Sequence, residues 1–166
     1  PRRITKNAYD RVFQYKILNN VLYLNKKLFL FGLSDTSLCS FCENAEEDMT
    51  HLFFACPRVL ALWTLLQTAL APNIIVRDIN AKLALLGFYE APREQFNLVN
   101  HILLLFKLYI YQSRNSKILS LNGMIRKISE VAKLECNLTP NGSANYAFYD
   151  NKWRSVRNLL PQATES

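Results

Sequence analysis

The sequence contains little glycine and no glycine-rich loop. Only four of its 166 residues are glycine, and they lie far apart along the chain. A phosphate-binding loop of the nucleotide-binding type, which needs clustered glycines, is therefore excluded. Half of the residues are hydrophobic and leucine is abundant, so the chain can bury a core and is not intrinsically disordered. Scarce glycine with abundant leucine favours helices over a sheet with many tight turns, and we predict an all-α fold.

Long hydrophobic runs and a secretory signal sequence are also absent. The apolar run Ile102–Phe106 is far too short to span a bilayer, and Lys107 interrupts it. We therefore expect no membrane association and an intracellular, reducing environment. There, clustered cysteines are more often metal ligands than disulfides. The chain begins with Pro-Arg-Arg rather than methionine, and we expect it to be a fragment of a longer protein.

Acidic residues are scarce outside one segment, and the formal net charge is +7. Residues 1–30 contain seven Lys or Arg and one acidic residue, whereas residues 35–48 contain five acidic residues and no basic one. Residues 101–133 contain six Lys or Arg and one acidic residue. Segregated positive charge suits a polyanion such as nucleic acid, although a solvated basic surface would have the same composition. We expect the acidic stretch 43–48 to be a solvated loop.

Three of the four cysteines and one of the two histidines lie within eighteen residues. Cys39, Cys42, His51 and Cys56 read C-x2-C, then eight residues, then H-x4-C. Structural zinc sites use four sulfur or nitrogen ligands, and a Cys3His set leaves no open position for a catalytic water. The spacing predicts a structural zinc site and argues against a zinc hydrolase. A disulfide, or buried cysteines with a capping histidine, remain the alternatives; Cys136 has no partner nearby.

Apolar periodicity predicts helices over residues 7–23, 25–32, 57–70, 78–86, 93–119, 122–135 and 145–160, with a short helical turn at 49–55. Pro57 suits the first position of a helix and disfavours the α conformation at Cys56. This break would let His51 and Cys56 share one metal ion. We divide the chain into residues 1–70, a helical pair with a zinc knuckle, and residues 71–166, a helical region packed on the first part. The predicted core-facing stripes are Phe13, Ile17 and Val21; Leu60, Trp63 and Leu66; and Phe96, Val99, Leu103, Phe106 and Ile110.

The aromatic residues around the predicted site allow two interpretations. Phe53 and Phe54 follow His51 and either pack the knuckle onto neighbouring helices or stack on a nucleic-acid base. Trp63 falls on a helical apolar stripe and is expected in the core. Trp153 lies among basic residues and could stack on a base or dock on another protein. His101 precedes an apolar helix segment, and we assign it no role.

These motifs together resemble the zinc-binding segment found C-terminal to the reverse transcriptases of non-LTR retrotransposons. The resemblance covers about residues 10–70 and rests on a helical pair, Cys39-Ser-Phe-Cys42, an acidic gap, Thr50-His-Leu-Phe-Phe-Ala-Cys-Pro57 and Leu62-Trp63. It implies that Cys39, Cys42, His51 and Cys56 bind zinc. It also implies a non-catalytic domain that helps bind element RNA or target DNA during target-primed reverse transcription, with the polymerase active site elsewhere in the polypeptide.

Under this interpretation the partners are nucleic acid and the rest of the reverse transcriptase, in a cytoplasmic ribonucleoprotein and the nucleus. Basic side chains would contact the nucleic acid by neutralising its phosphates, and they would recognise little of its base sequence. The candidates are Lys6, Arg11, Lys16, Lys26, Lys27, Arg58, Lys152, Arg154 and Arg157. The alternative is a zinc-stabilised module that docks on the polymerase body or a host factor. A protein domesticated for another use is a third possibility.

Overall fold

The computed structural model describes Thr5, residues 7–71, Gly87, residues 96–140 and residues 142–156. Within them the chain forms six α-helices: α1 (Ala8–Leu18), α2 (Asn25–Leu30), α3 (Pro57–Leu70), α4 (Asn97–Ser113), α5 (Leu121–Asn137) and α6 (Ala144–Arg154). The described residues form no strand, only an isolated antiparallel bridge between Leu38 and Glu46. The all-α prediction is confirmed, while the predicted helix 78–86 lies outside the described residues. Searching the described helices for a stretch able to cross a membrane gives none.

Helix α1 is shorter than the apolar pattern predicts. It begins where the Asn7 side chain accepts a hydrogen bond from the Tyr9 N–H at 2.9 Å. It ends because Asn20 adopts a left-handed conformation with φ 52°. The N–H groups of Asn20 and Val21 then bond back to the carbonyls of Ile17 and Lys16 at 3.0 and 2.9 Å, which is a Schellman cap. The prediction of helix over 19–23 is therefore wrong, and Val21 is 48% exposed.

Helix α2 ends at the predicted glycine. Gly32 has φ +67°, which glycine adopts without steric penalty. Its N–H bonds to the Phe29 carbonyl at 3.0 Å, and the Leu33 N–H bonds to the Leu28 carbonyl at 2.8 Å. This second Schellman cap redirects the chain towards the cysteine-bearing segment.

Helix α4 is the centre of the described fold. Eight consecutive residues, 101–108, are buried, so the helix is covered on every side. It packs against α1, α5 and α6, and α3 also packs against α5. These contacts join helices from both sides of residue 70, where the sequence predicts a division of the chain. The division itself stays a prediction.

Helix α3 faces the core with Val59, Leu62, Leu66 and Leu70. The predicted stripe through residue 60 is wrong in phase, because Leu60 is 44% exposed. Trp63 is partly buried, and its ring meets Phe106 edge-on with centroids 4.6 Å apart.

A network of buried polar side chains joins α4, α5 and α6. Glu135 Oε2 accepts hydrogen bonds from Lys152 Nζ and Trp153 Nε1, both at 2.9 Å. Lys152 Nζ also lies 2.7 Å from His101 Nδ1. Asp10 on α1 approaches the other side of the ring, with its Oδ2 4.0 Å from His101 Nε2. The sequence assigned His101 no role, yet it is completely buried at the centre of this network.

Burial sets the protonation of two basic groups on α4. The pKa of His101 is held well below its usual value by burial and then by the charge of Lys152. Since the ammonium of Lys152 donates to Nδ1, the neutral ring carries its proton on Nε2. Burial likewise lowers the pKa of Lys107 to about 7. Its Nζ donates to Gln14 Oε1 on α1 at 2.9 Å.

Candidate metal centre

The four predicted ligands converge on one point. One sulfur or nitrogen atom from each of Cys39, Cys42, His51 and Cys56 lies within 4.8 Å of every other. The Sγ atoms of Cys39 and Cys56 are 3.8 Å apart, and Cys42 Sγ lies 3.3 Å from His51 Nε2. Zinc–sulfur bonds of about 2.3 Å in a tetrahedron place two sulfurs about 3.8 Å apart. The donor set and its dimensions therefore fit zinc, with every coordination position filled by protein.

The first two ligands lie on a tight loop. The Cys39 N–H bonds to the Ala45 carbonyl at 2.8 Å, and the Glu43 N–H bonds back to the Cys39 carbonyl at 3.0 Å. Glu43 adopts a left-handed conformation with φ 57°, which reverses the chain immediately after Cys42. The Leu38–Glu46 bridge closes the loop, so both thiols point to the same side of a short hairpin.

The other two ligands are brought together by a widened helical turn, His51–Ala55. On a regular helix residues 51 and 56 would lie about 140° apart. Here the Cys56 N–H bonds to the His51 carbonyl five residues earlier, at 2.8 Å. Cys56 itself is extended, with ψ 121°, and Pro57 begins α3. The predicted break before Pro57 is present, and the five-residue turn before it is a feature that the sequence did not reveal.

Two of the three thiols of this site are inaccessible to water, and Cys42 is partly buried. Cys39 and Cys56 are both 0% exposed, and neighbouring Leu52 and Phe53 are 0% and 2% exposed. Burial raises the pKa of the Cys39 thiol to about 12, so a bound cation is what favours its thiolate at neutral pH. Phe54 is partly buried against the same core. Both phenylalanines thus pack the knuckle onto the helices.

One acidic residue next to the ligands has a role that sequence reasoning missed. Glu47 is 0% exposed, and its Oε1 accepts from the Asn25 N–H at 3.0 Å. Its Oε2 accepts from the N–H and the hydroxyl of Ser40 at 2.8 and 2.7 Å. Arg114, at the end of α4, lies with Nη2 2.5 Å from Oε1, and its Nη1 donates to the Tyr23 carbonyl at 3.0 Å. The prediction of a solvated acidic loop is wrong for Glu47, which ties the knuckle to α2 and α4.

Asp48 also supports the ligands directly. Its Oδ1 accepts a hydrogen bond from the N–H of His51 at 2.8 Å, which fixes the start of the widened turn. Asp48 directly precedes the helical turn predicted at 49–55, where an aspartate is a common N-cap. No local pattern distinguishes Glu47 from the exposed acids beside it, because its partners Asn25 and Arg114 are distant in sequence.

The predicted nucleic-acid contacts lie in several different environments. Lys16, Arg58 and Arg154 are exposed, whereas Arg11, Lys26 and Lys27 are partly buried. Lys26 pairs with Glu46 at 2.6 Å, and Arg154 approaches Asp150 at 3.6 Å. Lys152 is 8% exposed and Trp153 is 0% exposed, so both belong to the internal network rather than to the surface. Lys6 and Arg157 lie outside the described residues.

Comparison with known protein families agrees with the geometry. Residues 7–63 match the family model described as zinc-binding in reverse transcriptase, a range that contains all four ligands and Trp63. No curated protein and no solved structure matches the chain. The match and the ligand cluster together establish zinc as a structural ion of this fold. Over residues 7–63 the chain therefore carries an accessory, zinc-binding segment similar to that of reverse transcriptases.

Proposed function

We propose that this chain is the nucleic-acid-binding C-terminal domain of a non-LTR retrotransposon reverse transcriptase. Its role would be to engage element RNA or target DNA during target-primed reverse transcription, while polymerisation takes place elsewhere in the polypeptide. The observation that carries the proposal is the excess of positive charge, +7 over the chain, around a zinc-binding segment of the reverse-transcriptase type.

In this role the zinc ion is structural. It stabilises the fold that presents the binding surface and takes part in no reaction. Bound zinc supplies folding energy, because the unfolded chain does not present the four ligands together. Lys16 is exposed at the end of α1, and Arg58 is exposed at the start of α3, two residues after the ligand Cys56. The segment between Asn7 and Leu38 contains two acidic residues, and one of them, Asp10, is buried. A phosphate backbone can therefore approach this side of the domain with little repulsion.

A salt titration tests the proposal. Fluorescence anisotropy of labelled RNA and DNA, single- and double-stranded, would be measured with the zinc-loaded chain at about 50 and 200 mM salt. Since each phosphate contact releases counterions, affinity should fall steeply with salt. Lys16→Gln should reduce the salt slope by about one. Lys133→Gln is the matched control, because Lys133 is an exposed cation on α5 outside the proposed contacts.

Two outcomes would remove the proposal. One is the absence of RNA and DNA binding at low salt, and the other is binding that does not change with salt. If the domain binds no nucleic acid but co-purifies with the polymerase domains, it is a zinc-stabilised docking module instead.

A further inference from the structure

Exposed aromatic rings are concentrated in one part of the molecule. Among the described residues, five of the six exposed aromatic side chains lie between residues 9 and 31. They are Tyr9 (56% exposed), Tyr15 (62%), Tyr23 (58%), Phe29 (49%) and Phe31 (62%). The sixth, Phe148 on α6, is 37% exposed. Exposed apolar side chains that are grouped rather than scattered often mark a surface where a partner binds.

Tyr9 and Tyr15 lie on α1, Tyr23 lies in the segment that follows it, and Phe29 and Phe31 lie on α2 and at its end. Helix α1 buries the side that carries Asp10, Phe13, Gln14 and Ile17. Its opposite side presents Tyr9, Tyr15 and Lys16 to solvent. The left-handed turn at Asn20 then folds the chain back, and Lys27 donates to the Asn20 carbonyl across this turn. We call the five rings together with Lys16, Lys26 and Lys27 the aromatic–basic face.

The charge of the face determines which partner it fits. Three lysines accompany the rings, of which Lys26 pairs with Glu46 at 2.6 Å, and Asp35 is the one exposed acid between residues 7 and 38. Aliphatic side chains also reach the surface here, among them Leu18 and Leu30 at 50% and 73% exposure. An apolar surface with an excess of positive charge fits a ligand that has flat apolar rings and regularly spaced negative charges. A single-stranded nucleic acid has both, whereas a duplex keeps its base faces stacked inside.

We propose that the aromatic–basic face binds single-stranded RNA or DNA by stacking bases on its exposed rings while its lysines neutralise phosphates. This inference rests on the proposed nucleic-acid-binding function and specifies which form of nucleic acid is bound, and where. It also replaces the earlier candidates for stacking, because Phe53 and Trp153 are 2% and 0% exposed. Recognition would tolerate many sequences, since every base presents a flat face.

The test compares single strands with duplexes. Anisotropy would be measured for a labelled oligonucleotide of about 12 nucleotides, within the range covered by compact single-strand sites, and for its duplex. Tyr15→Ala and Tyr23→Ala should each weaken single-strand binding about 5- to 150-fold, the range expected when a stacking ring is removed. Duplex affinity should stay within about twofold, because phosphate contacts alone support it.

Matched variants separate stacking from other effects. Tyr15→Phe keeps the ring and should bind like the parent chain, and Phe148→Ala removes an exposed ring from a different surface and should have no effect. Both tyrosines are mostly exposed, so the alanine variants should retain the fold, which circular dichroism would verify.

The outcomes also separate this inference from the proposed function. If the parent chain binds nucleic acid but Tyr15→Ala and Tyr23→Ala bind single strands equally well, the stacking face is refuted and the proposed function survives. Equal losses on single strand and duplex would also refute stacking. If the parent chain binds neither form, both proposals fail. A further outcome is that the tyrosine variants bind nucleic acid normally but no longer co-purify with polymerase domains. The face would then be a protein-docking surface, and the inference would be overturned.

Discussion

The zinc knuckle and the buried polar network both hold polar side chains inside the fold, but by different interactions. Each brings polar groups together inside the fold: three thiols and an imidazole in one, with Cys39 and Cys56 buried and Cys42 and His51 partly buried, and the buried His101, Glu135 and Lys152 in the other. The knuckle ligands lie within eighteen residues of one another. The network joins residues separated by 17 and 51 positions. One is a local cluster held by a metal ion, and the other is a long-range cluster held by packing.

The difference has an energetic consequence. A closed Cys3His site contributes binding energy that the unfolded chain cannot obtain, so metal and folding are coupled. A buried ion pair gains attraction but loses hydration, so its net contribution is small even though removing one partner is costly. The knuckle should therefore respond to removal of the metal, while the network should respond to charge substitution.

The largest effect should come from removing a zinc ligand. Cys42→Ser, or chelation of the parent chain, should unfold about residues 35–65, because apparent binding energies at such sites are about 10–16 kcal/mol. Helices α4, α5 and α6 should keep most of their structure, since they also pack on one another and α4 packs on α1. Hydrogen exchange read by mass spectrometry would locate the loss of protection.

Cys136→Ser is the matched control for this experiment. Cys136 lies on α5 outside the ligand cluster, so the same chemical change should leave zinc content and exchange unaltered. Full helicity with one bound zinc in Cys42→Ser would show that the assignment of this ligand is wrong. Equal loss of protection across α4 to α6 would show that the two regions unfold as one unit.

A smaller effect, confined to the network, is expected from Glu135→Gln. The carboxylate of Glu135 compensates the ammonium of Lys152, which is 8% exposed. Losing its charge leaves that ammonium buried without a counterion, and we expect the free energy of unfolding to fall by about 3 kcal/mol. Urea denaturation of the zinc-loaded proteins would measure it, and zinc affinity should not change.

Glu130→Gln provides the comparison on the same helix. Glu130 is exposed, so removing its charge should change stability by less than about 0.5 kcal/mol. A loss of similar size in both variants would mean that the effect of Glu135→Gln comes from helix α5 generally and not from the buried pair.

The same contrast explains which features the sequence could predict. The four ligands, the helix start at Pro57 and the stop at Gly32 depend on neighbours a few residues away, and all three were predicted correctly. The roles of Glu47 and His101 depend on Arg114 and Lys152, which lie 67 and 51 residues further along. Neither residue is marked by periodicity or by a motif, so single-sequence reasoning placed one in solvent and gave the other no role.

A pH-dependent effect is expected from Lys107 on α4, which bonds Gln14 and belongs to neither cluster. Its pKa is lowered by burial from 10.5 to about 7, so between these values the unfolded chain binds a proton that the folded chain lacks. Stability should therefore rise with pH across this window, by at most about 1.4 kcal/mol per pH unit, and be lost as pH falls through 7. Lys107→Met should flatten the dependence and raise stability most near pH 7. Denaturation of both zinc-loaded proteins from about pH 7 to 10 would show the difference, because the thiols released from zinc on unfolding titrate alike in both proteins and cancel in the comparison. Parallel pH curves for the parent and Lys107→Met would instead mean that the ammonium of Lys107 keeps its proton inside the fold, compensated by groups around Gln14.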